Sequence, residues 1–444
     1  MSVNAIPEEY LAAGRQMHAL GQELFPVCRS LTGEGVRITL RRLADYVDGL
    51  VVKQVPSGEK VFDWTVPDEW RISSGRLTGP DGKTVVDFAD NNLHVVGYSE
   101  PVDVELDLED LQPHLHSLPD QPDAIPYVTS YYRRRWGFCL TDTRRRELLP
   151  GRYHASIDSA LFPGHLDYGE AVIPGKTSDE IFLSTYVCHP SMANNELSGP
   201  LVAAWLHQWA RQRQMRHTLR FVFLPETIGS IAYLARNLAA MRRNVVAGFV
   251  LTCLGDDRAY SYLASREANT LADRAARNVL SHIDPDYHHW SFLDRGSDER
   301  QYCAPGIDLP FVSIMRSKYA TYPEYHTSLD DFSLVTPSGL AGGLYAVTRA
   351  VEAVEENRRW RATVLCEPQL GRRGLYPTLS TKGSGDTIRP MMNFLAYADG
   401  KYDLIAIADK IGVPVWELAP IAAMLERQGL VENVDQAGES PIAC

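Results

Sequence analysis

Thr185-Tyr186-Val187-Cys188-His189-Pro190-Ser191-Met192-Ala193-Asn194-Asn195-Glu196-Leu197-Ser198-Gly199-Pro200 joins the end of an apolar run, Ile181 to Val187, to an amphipathic pattern that begins at Ser198. The run predicts a buried strand and the pattern a helix, so the polar residues between them lie on a strand-to-helix loop. In open α/β sheets such loops stand at the carboxyl ends of the strands, where ligands bind. His189, Asn195 and Glu196 are therefore half of a candidate site. The other half must come from later loops of the same kind.

Outward from this stretch the α/β texture repeats. Strand-like runs at Arg152–Ile157, Glu180–Val187, Leu219–Pro225, Val245–Cys253 and Pro310–Met315 alternate with helical patterns at 198–213, 230–243, 266–281 and 337–357. That alternation predicts a mostly parallel sheet covered on both faces. Upstream, residues 11–45 read as helical, broken by Cys28-Arg29-Ser30-Leu31-Thr32-Gly33-Glu34-Gly35. The break is either a capped helix end or a cradle for an anion. Between 48 and 125 short alternating runs (Val51–Val55, Phe62–Val66, Thr84–Phe88, Leu93–Val96) and Pro/Gly/Asp/Asn turns predict a small inserted β-rich domain. Trp64 and Trp70 give it aromatic weight, as packing or as a ligand platform. Past a Pro/Gly/Ser/Thr-rich connector at 373–389, Tyr402–Ile411, Val415–Gln428 and Leu430–Glu432 read as a winged helix-turn-helix. The domains expected are 1–47 with 126–372, then 48–125, then 373–444.

Polar groups fall just past four of the expected strands: His189, Glu226, Asp256 and His326. On a parallel sheet they share one rim. Two imidazoles with carboxylates are the donor set of a zinc site, and a free carboxylate beside it serves as general base. Each residue also has a plain structural reading. A lone histidine is commonly a satisfied core residue, Glu226 can favour the start of the next helix, and Asp256 is an ordinary turn residue. Cys188 is a further ligand, a thiol nucleophile or simply a buried strand-end residue.

These residues, with Asn194-Asn195-Glu196-Leu197-Ser198-Gly199, Pro225-Glu226-Thr227-Ile228-Gly229-Ser230 and Tyr325-His326-Thr327-Ser328-Leu329-Asp330, resemble the di-zinc aminopeptidase superfamily. Arg29-Ser30-Leu31-Thr32-Gly33, Asp63-Trp64-Thr65-Val66-Pro67 with Glu69-Trp70, Cys188-His189-Pro190-Ser191 and Arg295-Gly296-Ser297-Asp298-Glu299 narrow the likeness. They resemble bacterial aminopeptidase-like proteins with an inserted β domain and a C-terminal winged helix. The resemblance implies a zinc-exopeptidase-like fold, zinc chemistry and Glu226 as general base. It also shows departures. The superfamily's bridging Asp is Asn195, its second Glu is Thr227, and its strand-end Asp is Thr252. A neutral amide bridges two dications poorly. The expectation is one zinc per chain, held among His189, His326, Glu196 and Asp256. Substrate contacts are expected from Arg29, Arg295 and Arg316 on an anionic end, from Asp298 or Glu299 on an amino group, and from Tyr325 beside His326.

Composition bounds the rest. A chain of 444 residues with 45% hydrophobic and 23% charged residues suits two or three soluble domains. The net charge of -12 argues against nucleic acid and anionic membrane as partners. The tail, with Lys401, Lys410 and Arg427 against seven Asp and Glu over 395–435, lacks a basic recognition helix. It reads as a packing or homo-oligomer contact. No signal peptide or membrane span is expected, and seven scattered cysteines point to a reducing cytoplasm. The function expected is a metal-dependent aminopeptidase or amidohydrolase acting on a small peptide or aminoacyl-type intermediate. The alternative is a catalytically reduced relative that binds a peptide or conjugate without hydrolysis.

Overall fold

The computed structural model describes residues 6–375 and 388–435. Most of the 373–389 connector lies outside the described residues. The largest sheet has eight strands in the order Val51–Pro56, His165–Ile173, Thr218–Leu224, Glu180–Tyr186, Val245–Leu251, Phe311–Met315, Ser261–Leu263 and His288–Trp290. The four central strands, Thr218–Leu224 through Phe311–Met315, are mutually parallel. Every residue of Glu180–Tyr186 is buried, as a strand covered on both faces requires. Ile181 and Leu183 share one buried cluster with the helices Glu8–Leu24, Ser198–Arg211 and Pro337–Glu356, while Phe182 and Tyr186 share another with Ile228–Asn244.

The chain leaves Glu180–Tyr186, crosses to Thr218–Leu224 on one side and then to Val245–Leu251 on the other. Strand order therefore reverses at Glu180–Tyr186, and the crevice forms at its carboxyl end. The expected α/β architecture is observed. No helix among the described residues is long and apolar enough to cross a membrane.

Two strands change places relative to the sequence reading. Val51–Pro56, expected in the insertion, is the antiparallel edge of the large sheet, paired with His165–Ile173. Its residues are mostly exposed, as an edge permits. Arg152–Phe162, expected in the large sheet, instead forms the centre of the inserted antiparallel sheet between Glu69–Thr78 and Val102–Asp107. Tyr153, Ala155 and Ile157 are buried while His154 and Asp158 are not. That period of two marks a strand with one solvated face, so the inserted sheet runs on to Phe162, past the 125 boundary. Likewise Arg359–Ala362 pairs with Asp399–Asp403 and Val431–Asn433, so the tail begins earlier than residue 373. Its helices Leu404–Ile411 and Val415–Arg427 are separated at Gly412, whose φ of 70° ends the first. The tail docks on helix Leu271–Ile283, where Arg274 pairs with Asp403 and Asn278 accepts from the Val415 N–H at 3.0 Å.

Gly199, in the first turn of Ser198–Arg211, lets that helix close on the sheet. A Cβ there would stand 2.2 Å from the Leu251 carbonyl oxygen and 2.4 Å from Thr185 Oγ1. The helix would have to shift. Gly199→Ala is therefore expected to destabilise the fold by about 1–3 kcal/mol, read as a lowered midpoint in thermal unfolding.

Candidate functional site

After Tyr186 the chain passes through Cys188 and His189, then makes a single wide helical turn, Ala193–Leu197, before Ser198–Arg211 begins. Asp330 holds that turn. Its carboxylate accepts from the Asn194 N–H at 2.5 Å, the Asn195 N–H at 2.9 Å and the Tyr322 hydroxyl at 3.1 Å. The turn aims Asn194 at the next strand end. Asn194 Oδ1 accepts from the Gly255 N–H at 2.8 Å and its Nδ2 donates to Asp256 at 2.9 Å. Asp256 also accepts from the Ser317 N–H and hydroxyl and from the Arg258 N–H. Asp256, expected as a metal ligand, thus ties loops together, its oxygens already taken by donors.

His189 lies in front of a buried ion pair. Its Nδ1 is 2.9 Å from Glu196 Oε2, and Glu196 Oε1 is 3.4 Å from Arg29 Nε. Arg29, fully buried, also donates to the His189 carbonyl at 2.9 Å and the Leu24 carbonyl at 2.8 Å. Burial pushes Glu196 up to about 8 against the pull of Arg29, and burial with Arg29 pushes His189 down to about 3. Arg29, expected to clamp a substrate anion, is behind the site. Glu196 stands on Nδ1, which leaves Nε2 facing Glu226 Oε2 at 3.7 Å.

His326 completes the pair, its ring centroid 5.3 Å from that of His189. Its Nε2 is buried with no hydrogen-bond partner, and burial followed by His189 lowers its pKa to about 3. Both imidazoles are neutral at neutral pH. Tyr325 stacks on His326 at 3.9 Å, and Tyr127 sets its ring against both histidines at 5.3 and 5.2 Å. Tyr127 was invisible in the sequence, where it merely follows Pro126.

Glu226 is oriented by the Ser297 hydroxyl, which donates to Oε1 at 2.8 Å. Burial, then Asp298, pushes Glu226 up to about 8. Asp298 is itself raised by burial to about 6, and accepts from the Thr227 N–H at 2.7 Å and the Ser230 hydroxyl at 2.8 Å. Glu299 accepts from the Gly296 and Ser297 N–H groups and the Tyr319 hydroxyl, so it shapes the loop that presents Ser297. The expected substrate role of Arg316 also gives way to a structural one: it donates to the Ala259 carbonyl and lies 3.9 Å over Tyr260. Arg295 is exposed and lies over Phe292 at 4.9 Å.

Ser191, Thr227, Cys253 and His326 have φ of 42°, 64°, 50° and 55°. Four non-glycine residues in the left-handed region, one on each converging loop, are the strain that functional sites concentrate. Where the superfamily's bridging carboxylate would be, Asn195 Oδ1 accepts from the Tyr186 hydroxyl at 3.0 Å, which also bonds the Thr252 hydroxyl. The Asn195 side chain thus meets neutral hydroxyl groups. Among the described residues, Cys188, His189 and Glu196 are the set of three donors within 4.8 Å of one another. With the Arg29 guanidinium against Glu196, that set is a poor cation cage. Burial, then Glu196 and Glu226, raises the Cys188 thiol far above its usual range, which argues against a thiolate.

A family model described as "Domain of unknown function (DUF4910)" matches residues 18–357, and a winged helix-turn-helix model matches residues 358–433. A protein of Clostridium acetobutylicum, provisionally named a polysaccharide biosynthesis protein with aminopeptidase-like domain, is 39% identical over 438 residues, 97% of this chain and 99% of the other. The crystal structure of a provisionally assigned peptidase from Clostridium acetobutylicum matches with a TM-score of 0.90 at 39% identity, covering 96% of this chain and 98% of that one. A zinc aminopeptidase from Bacillus subtilis matches with a TM-score of 0.57 at 12% identity, over 78% of this chain and 95% of that one. At that identity the likeness is one of fold.

Replacing Asp330 by Ala leaves two buried backbone N–H groups without acceptors, each costing about 1–3 kcal/mol. Asp330→Ala is expected to lower the thermal midpoint sharply, and Asp330→Asn, which keeps one acceptor oxygen, to lower it less.

Proposed function

The chain belongs to the DUF4910 family, with an aminopeptidase-like fold and a C-terminal winged helix, and on that premise we propose that it is a metal-dependent amidohydrolase of aminopeptidase type. The observation that carries this reading is the buried, unpartnered Nε2 of His326 beside His189, with Glu226 Oε2 3.7 Å from the His189 Nε2. Two neutral imidazoles with free nitrogens suit zinc, and a carboxylate on the far nitrogen of a ligating histidine is the usual support for one.

His189 and His326 would hold one zinc, and Glu196 would accept the His189 Nδ1 proton and fix its ring. When bound, the metal supplies a Lewis acid and a water acidified toward a pKa of about 7. Glu226, its rotamer set by Ser297, takes the proton of the attacking water and returns it to the leaving amine, a contribution of about 10²–10⁴ in rate. Tyr127 and Tyr325 screen the two rings from solvent. The clostridial relative's name favours an amide carried on a saccharide intermediate over a free peptide. Free cysteines throughout the described residues suit a reducing cytoplasm.

The neutral network around Asn195 supports a second reading, a binding protein that has lost hydrolysis. Elemental analysis of protein purified without chelator or His-tag separates the two. About one zinc per chain is expected, lost in both His189→Ala and His326→Ala. Glu226→Gln should keep the metal and lose at least about 10²-fold in hydrolysis of aminoacyl amides. Protein that neither retains zinc nor takes it up on addition would move the conclusion to the binding reading.

A further inference from the structure

A cavity of about 300 Å³ opens between Thr65–Asp68 on the inserted β unit and Tyr131–Arg134 on the segment leading back from it. Its inner wall backs onto a tyrosine of the site. Tyr131 lines the cavity, its hydroxyl 2.8 Å from the Tyr127 hydroxyl, and Tyr127 lies against both histidines. Its outer wall is aromatic and wet. Tyr132 is 55% exposed, with the 41% exposed Trp64 ring 5.9 Å away. Two large aromatic faces left in water are a cost unless something covers them.

The charges are arranged unequally. Arg134 is paired with Asp68 at 3.3 Å and Glu100 at 4.0 Å, and Arg135 donates to the Thr129 carbonyl at 2.8 Å. Arg133, also on the cavity wall and exposed, makes no ion pair among the described residues. In a chain of net charge -12 a free guanidinium beside an aromatic face is a ready anion contact. The rest of the wall mixes Thr65, Ser130 and Asp68, which suit hydroxyl groups, with Val66, Pro67 and Leu161, which suit ring carbons.

We propose that this cavity holds an anionic sugar, the body of the molecule whose amide reaches Glu226, with its anion on Arg133 and its ring against Tyr132. The connection to Glu226 rests on the proposed hydrolase reading; the sugar site itself does not. Hydroxyl groups beside an aromatic wall match the hydroxyl rim and apolar face of a pyranose, and Tyr131, bonded to Tyr127, is the wall that the cavity shares with the histidines' surroundings.

Titration calorimetry on the full chain tests this with four probes: glucose 1-phosphate, glucuronate, glucose and inorganic phosphate. One of the two anionic sugars is expected to bind at least about tenfold tighter than either glucose or phosphate. Which one does so identifies the anion. Arg133→Ala and Tyr132→Ala should each weaken that binding by about tenfold or more with the thermal midpoint unchanged. Tyr132→Phe, which keeps the ring and loses the hydroxyl bond to the Thr65 carbonyl, should bind as the parent does. Glu226→Gln should also bind normally. Glucose binding as tightly as the anionic sugars, no sugar binding at all, or indifference to Arg133→Ala would each overturn the proposal. A chain that binds an anionic sugar but hydrolyses no amide would retire the hydrolase reading and leave this site standing.

Discussion

One side chain amide sets the spacing of the loops on which the site depends. Asn194 reaches Gly255 and Asp256 through its amide and Asp330 through its backbone N–H, so three chain segments meet at a single buried residue. Because Asp256 also holds Ser317, the loop after Phe311–Met315 is drawn in as a fourth. Backbone donors that a loop would ordinarily give to water are satisfied here by carboxylates, as burial demands. On the same loops Ser191, Cys253 and His326 adopt left-handed conformations. Geometry at the rim is a product of these buried polar contacts more than of apolar packing.

The electrostatics follow from that burial. Carboxylates at Glu196, Glu226, Asp298 and Asp330 are all raised, and both histidines are lowered, chiefly because burial penalises their charged forms. Burial of that kind favours the neutral forms. Asn195 in place of an anionic bridge, with Thr252 and Tyr186 bonded to it, removes the negative charge that two dications would need between them.

Much of this was legible in the chain. Strand-then-helix alternation announced the parallel sheet, and the polar residue after each strand located the rim. What the pattern could not carry was the second partner of each group. Asp256 and Glu299 have the residue type of ligands, yet their oxygens accept backbone N–H groups that only the folded loops bring within reach. Arg29 reads as a clamp for an anion until the helix break folds it beneath His189. Strand assignment failed for a related reason. Val51–Pro56 and Arg152–Phe162 both alternate, and alternation alone does not say which sheet receives the strand.

The inserted sheet is not an ornament on the aminopeptidase-like half, because the motifs that seemed unrelated in sequence form one column of contacts. Thr32 accepts from the Trp70 N–H at 3.1 Å and bonds the Tyr98 hydroxyl at 2.6 Å; Gly33, with φ of 97°, turns beneath Trp70, where a Cβ would stand 2.6 Å from its carbonyl. Trp70 stacks on Tyr98, Tyr98 meets Tyr131 edge-on, Tyr131 bonds Tyr127, and Tyr127 touches both histidines. Arg29, three residues before Thr32, returns to His189 from behind. The imidazoles are therefore held between two ends of a single structural loop, one end running through the inserted unit. Displacing that unit moves Tyr131 and Tyr127, and with them one wall of the cleft where Glu226 waits. The inserted sheet thus bears on the position of the two imidazoles while contributing neither of them.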